Sequence, residues 1–193
     1  MSRMQEVKEP EIESLDEPNQ SYTVICLPKD KLDSDIDKNL YPHACLTYKQ
    51  ASHCKYLTTL LDSEDSKDDN LYVFQDPKNM TIYAFNKIME FLQYKNGEKV
   101  NYPSIPLKYK DDSVNGNESL FKEIWPEQDA KFINDAVEKH GMGALYTIMN
   151  AANYLHIDPL IHLCATKIAC LIKGQSLAKI EDILKPKDRE LFI

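Results

Sequence analysis

AANYLHIDPLIHLCATKIACLIKG, residues 151–174, packs two amphipathic helices and the tight corner between them. Upstream, Leu145, Ile148, Met149, Ala152 and Leu155 recur at helical spacing, so one stripe of the first helix faces a core. Asp158-Pro159 restarts the chain, with Asp158 expected as N-cap and Pro159 at the first helical position, where its missing N–H is not needed. In the second helix Leu160, Cys164, Ile168, Leu171 and Ile172 form the expected buried stripe. Lys173 complements the negative end of the helix dipole, and Gly174 supplies the left-handed residue that stops it.

Working outward, SLAKIEDIL (176–184) predicts a further short helix, N-capped by Ser176, with Leu177, Ile180, Ile183 and Leu184 at helical spacing. On the N-terminal side, FKEIWPEQDAKFINDAV (121–137) carries the single tryptophan, and Pro126 is placed to open a helix that His140-Gly141-Met142-Gly143 breaks. MTIYAFNKIMEFLQYKNG (80–97) sets Ile82, Phe85, Ile88, Met89 and Leu92 on one face and ends in Asn96-Gly97, a common stop. YTVICL (22–27) and LYVF (71–74) are short runs rich in β-formers and predict strands. ACLTYKQASHCKYLTTLL (44–61) predicts a strand edge and then a helix presenting Cys54, Leu57, Leu60 and Leu61. Between 98 and 120 lie two prolines and KDDSVNGNES, a long irregular excursion.

The chain has 193 residues, 42% of them hydrophobic, enough for one sizeable core. Its net charge of -8 is concentrated in two places. Residues 1–20 carry six acids against two bases, an acidic tail too poor in apolar residues to order itself, and 62–70 carry five acids against one base. The rest is neutral, and without a basic tract the chain is not expected to bind nucleic acid through its phosphates. No apolar run approaches a membrane span and MSRMQEVKEPEIE lacks the core of a secretory signal, so a cytoplasmic or nuclear location is expected. Five cysteines (Cys26, Cys45, Cys54, Cys164, Cys170), odd in number and mostly among apolar neighbours, read as reduced core thiols.

Little in the sequence points to catalysis. His43-x-Cys45 with His53-Cys54 has zinc-ligand chemistry, but adjacent helical residues diverge by about 100° and no Cys-x-x-Cys pair supports them. Cys164, near His156 and His162, falls in an apolar stripe where a thiol is inert. None of the five glycines forms a phosphate-binding loop, and the carboxylates cluster in solvated runs. We therefore expect a non-enzymatic chain with no cofactor and no metal, working through protein surfaces. Asn153 and Tyr154 flank the core stripe, either as ordinary half-solvated positions or as interface anchors, since an exposed Tyr offers rigid area and a polar handle.

The order of elements and the run 151–174 resemble the S-phase kinase-associated protein family, the adaptors that join F-box proteins to a cullin in SCF ubiquitin ligases and so serve ubiquitin-dependent degradation. ASHCKYLTTLLDS (51–63), the acidic loop after it, LYVF, the helix at 80–97 and Trp125 follow the family's order. The resemblance implies an α+β chain with a BTB/POZ domain over 21–157: a small three-stranded sheet with packed helices, bearing an insertion around 98–140. An added helical segment over 158–193 would hold the F-box. By the same resemblance Asn153 and Tyr154 match the cullin-contacting positions. Leu160, Ile161, Leu163, Ile180 and Ile183 lie in the elements that grip the F-box, each either shared with a partner or core alone.

The departures bear on function. The sequence ends at KPKDRELFI, without the acidic segment and tryptophan-bearing last helix of the family, which implies a weaker or differently built F-box grip. That shortening, with the insertions, keeps open a second reading, a structural subunit of a large stable assembly that retains the fold without ligase duty. YPSIP (102–106) resembles elongin C, the adaptor of other cullin ligases, but elongin C lacks the helices from 159 onward. A self-associating BTB domain is a further alternative, which the same helices argue against.

Overall fold

In a computed structural model the described residues are 21–27, 41–63, 71–74, 80–101 and 121–185. The expectations for the acidic tail (1–20), most of the acidic loop (64–70), the excursion beyond residue 101 and the terminal KPKDRELFI beyond Lys185 fall outside them.

The run YTVICL forms β1, Ser21–Cys26, the middle strand of a three-stranded mixed sheet ordered β2-β1-β3. On one side β1 pairs antiparallel with β2, His43–Thr47, in the register Thr23 to Cys45. On the other it pairs in parallel with β3, Leu71–Phe74, in the register Val24 to Tyr72. A parallel partner needs a crossover, and the chain supplies it through β2 and two short helices. Val24, Ile25, Cys26, Leu46, Tyr72 and Phe74 carry the sheet's share of the core.

The single helix expected within 44–61 is two: α1, Tyr48–Ala51, and α2, Lys55–Leu61. Thr47 and Gln50 close a reciprocal capping box at the start of α1, and the Ser52 hydroxyl donates to Lys49 O at its end. Cys54 is accordingly the N-cap of α2, not a residue on its face; Leu57 is buried while Leu60 and Leu61 are half-buried.

Helix α3, Ile82–Lys95, is N-capped by Thr81, whose hydroxyl accepts from Ala84 N at 3.1 Å. Its buried face is Ala84, Phe85, Ile88, Met89, Phe91 and Leu92, and Asn96 (φ 46) and Gly97 (φ 68) end it in left-handed geometry. Ile82, expected on this face, is the first residue of the helix and is 60% exposed.

After a helical turn at 121–124 comes α4, Glu127–Tyr154, in two halves that meet at Gly141 (φ 71, ψ -170), the break expected from His140-Gly141-Met142-Gly143. Its first half packs Phe132 against Phe91 and Tyr94 of α3, with ring centroids 5.9 and 5.6 Å apart. Its second half buries Leu145, Ile148 and Ala152, with Met149 half-buried. Helix α5, Asp158–Ile172, packs on α4, and α6, Leu177–Leu184, lies beside α5. The chain is thus α+β: a small mixed sheet, with most of the described residues in helices. No helix among the described residues is long and apolar enough to cross a membrane.

Two expectations for these helices change. Ile157, not Asp158, is the N-cap of α5, without a side-chain cap, because the Asp158 carboxylate turns to Lys55 Nζ 2.6 Å away. The buried stripe of α5 is Pro159, Leu160, Leu163, Cys164, Lys167 and Cys170, whereas Ile168, Leu171 and Ile172 are half-buried. The stop itself is as expected: beyond the C-cap Lys173, Gly174 is left-handed (φ 71).

Candidate functional site

The corner after α4 is built by its own backbone. His156 N–H donates to Asn153 O at 3.2 Å and Ile157 N–H reaches back to Ala152 O at 2.8 Å, the paired bonds of a Schellman stop. His156 takes the left-handed position (φ 53) that glycine usually fills, and Ile157 beyond it is fully buried, which anchors the corner to the core. The stop fixes the last turn of α4, leaving Asn153 exposed and Tyr154 half-buried.

The start of α2 meets this last turn end to end. Leu155 O, an orphan acceptor at the helix terminus, takes the Tyr56 N–H at 3.3 Å and the Cys54 thiol at 3.4 Å. The same sulfur accepts from Leu57 N at 3.5 Å, so Cys54 caps one helix and closes the other. Burial pushes the Cys54 thiol up to about 12, against the smaller lowering by the Leu57 and Tyr56 N–H groups, so it remains a neutral donor.

Tyr56 then lies between two rings, 5.9 Å from Tyr154 and 5.7 Å from Phe74 of β3. The aromatic row passes from Phe74 in the sheet through Tyr56 to the half-buried Tyr154. Beside it the exposed Lys55–Asp158 pair adds charge of both signs and little stability. Asn153, Tyr154, Tyr56, Lys55 and Asp158 thus lie about one corner, two aromatic rings beside polar and charged side chains.

The five residues of the second candidate surface are not equivalent. Leu160 and Leu163 are 0% and 1% exposed, members of the core. Ile161, Ile180 and Ile183 are half-buried, and α6 adds Leu177 and Leu184, 74% and 38% exposed.

The histidines and thiols stand apart. His43 Nδ1 lies 3.0 Å from Tyr41 O, and His53 Nε2 lies 2.9 Å from Glu98 O. Cys45 is exposed rather than buried, with Thr23 Oγ1 3.9 Å away, while Cys26, Cys54, Cys164 and Cys170 are buried. Among the described residues no group of three His, Cys, Asp or Glu side chains is placed to hold a metal ion. Burial raises the Cys164 thiol well above its ordinary range.

Sequence reasoning missed two buried charges. Asp129, expected among solvated carboxylates, is 1% exposed, bound by Tyr94 Oη and Lys95 Nζ, both at 2.7 Å. Lys167, 4% exposed, donates to Asn134 Oδ1 at 2.6 Å and lies 5.1 Å from the Phe121 ring centroid. The signal for Lys167 was present: it falls on the stripe running through Leu160, Leu163, Cys164 and Cys170. Tyr56 gave none, since only tertiary structure brings it to Tyr154. No family model matches the chain, and no curated protein matches it significantly in sequence.

Proposed function

We propose that the chain is a non-enzymatic adaptor of the S-phase kinase-associated type, with a BTB/POZ core, that joins a cullin to an F-box substrate receptor in the cytoplasm or nucleus. The observation that carries this reading is the fixed corner at 153–158, which holds Tyr154 against Tyr56 with Asn153 exposed beside it. A three-stranded sheet with short helices between its second and third strands supports the BTB/POZ assignment, and the helices after the corner support the receptor-binding segment. Those helices also disfavour the elongin-C-like and self-associating alternatives. Interface energy concentrates in a few aromatic anchors, so Tyr154→Ala should weaken binding to a cullin N-terminal domain at least tenfold while the chain stays folded. Absence of binding by the unmodified chain, to that domain and to F-box peptides alike, would sink the reading.

A second reading, a structural subunit of a larger assembly without ligase duty, is favoured by the burial of Leu160 and Leu163, which confines the receptor surface to Ile161 and the exposed side of α6. Purification of the chain with its native partners separates the two: a stable complex lacking a cullin decides for the structural subunit.

A further inference from the structure

Helix α6 is attached differently from its neighbours. None of its residues is buried, and Leu177 at its first position is 74% exposed. Ile180 and Ile183 are half-buried, yet neither is among the apolar side chains packed on the core, whereas Ile161 and Ile168 of α5 are. The connection into it bends sharply, with Lys173 extended (φ -59, ψ 127) and Gly174 left-handed (φ 71). Ser176 has the extended backbone of an N-cap, but its side chain makes no capping hydrogen bond. At the far end the Tyr146 hydroxyl, from the second half of α4, donates to Leu184 O at 3.4 Å. That carbonyl is one of the orphan acceptors of a helix C-terminus, so the phenol both caps α6 and tethers it to α4. Burial raises the Tyr146 pKa, keeping the hydroxyl a donor.

The geometry points to α6 as a hinged strap that pivots at Lys173–Gly174 and is latched to the body of the protein by the Tyr146 hydroxyl on Leu184 O. An isolated helix of eight residues is marginal in water, so its docked form depends on its contacts with the rest of the protein and can be released without disturbing α5. Release would carry the half-buried Ile180 and Ile183 away with the helix. The way the helix is held does not depend on the adaptor reading.

Hydrogen exchange on the full chain tests it. The amides from Ile180 to Lys185, hydrogen-bonded within α6, should exchange at least tenfold faster than those in the middle of α5. Tyr146→Phe, which removes only the donor, should speed α6 exchange by a further factor of about 2 to 10 and leave residues 160–170 unchanged. Gly174→Ala, which strains the hinge from the other side, should speed the same amides several-fold and serves if the first variant disturbs α4. Equal exchange in α5 and α6, or an α6 rate untouched by both substitutions, would overturn the proposal.

Discussion

The carboxylate of Asp129 is 1% exposed and accepts the Tyr94 hydroxyl at 2.7 Å, tying the end of α3 to the first turn of α4. Its other oxygen meets Lys95 Nζ at 2.7 Å, and that ammonium also lies 5.4 Å from the Tyr94 ring centroid. At the positive end of α4, Asp129 is favoured by the helix dipole as well. Removing it leaves Lys95, 11% exposed, without its counter-charge. Asp129→Ala should therefore cost about 3 kcal/mol, and Tyr94→Phe about 1.5 kcal/mol, in urea unfolding. A loss below about 1 kcal/mol for Asp129→Ala would show that the pair contributes little beyond its desolvation cost.

The same cluster makes the fold sensitive to alkali. Burial first, and then donation to Asp129, hold the Tyr94 phenol well above its ordinary value of 10.0. The Cys54 thiol is pushed from 9.0 up to about 12. Both groups keep a proton in the folded chain that the unfolded chain gives up. Their contribution is fully present below about pH 9 and is lost as the pH rises toward the folded values, at about 1.4 kcal/mol for each tenfold difference in proton affinity between the folded and unfolded chain. The melting temperature should stay level from pH 7 to 8.5 and fall steadily above that. Cys54→Ser keeps a donor for Leu155 O and an acceptor for Leu57 N without an alkaline thiol, so its decline between pH 9 and 10 should be shallower. An identical decline in the variant would acquit Cys54.

How much of this was legible follows from what a linear pattern encodes. Periodicity identifies a face, so the stripes Leu145–Leu155 and Phe85–Leu92, and the breaks at Gly141 and Asn96-Gly97, were visible in the chain itself. It does not say where a face ends, and Ile82 and Leu171 lie at such margins. Caps were less legible than stripes: Asp158 has the right chemistry for an N-cap, yet Lys55, 103 positions earlier, claims its carboxylate. Of the candidate surface, Asn153 and Tyr154 stood out because they flank the core stripe and match the cullin-contacting positions of the family the sequence resembles. Tyr56, which orients Tyr154, was invisible for the reason that hid Asp129's partners, since helices far apart in sequence bring them together.

Gly97 is a position where a side chain has no place to go. Its φ of +68 disfavours every L-residue, and a Cβ there would stand 2.5 Å from the backbone oxygen of Lys49 and 2.8 Å from Lys49 Cγ. The oxygen belongs to α1 and cannot swing aside as a flexible side chain would. Gly97→Ala should cost about 3 kcal/mol, combining left-handed strain with displacement of α1 from the end of α3. The loss should appear as a lower urea midpoint, and a variant as stable as the parent would mean that α1 is not held against this turn.

His156 presents the opposite case, a left-handed position (φ 53) occupied by a residue with a Cβ. Its backbone N–H closes the Schellman stop on Asn153 O, a bond that any residue but proline could make. The exposed imidazole is not needed for the corner. His156→Gly removes about 1–2 kcal/mol of left-handed strain, partly offset by the roughly 0.5–1 kcal/mol that glycine's freedom adds to the unfolded chain. The net gain should be about 0.5–1 kcal/mol, which for a chain of this size raises the melting temperature by roughly 2 °C. His156→Ala separates backbone from side chain, because it removes the ring but keeps the strained φ, and it should give no gain. If Ala and Gly both lower the melting temperature, the ring itself holds the corner. If only Gly raises it, the strain is real, and the relieved stop should leave Tyr154 and its contact with Tyr56 in place.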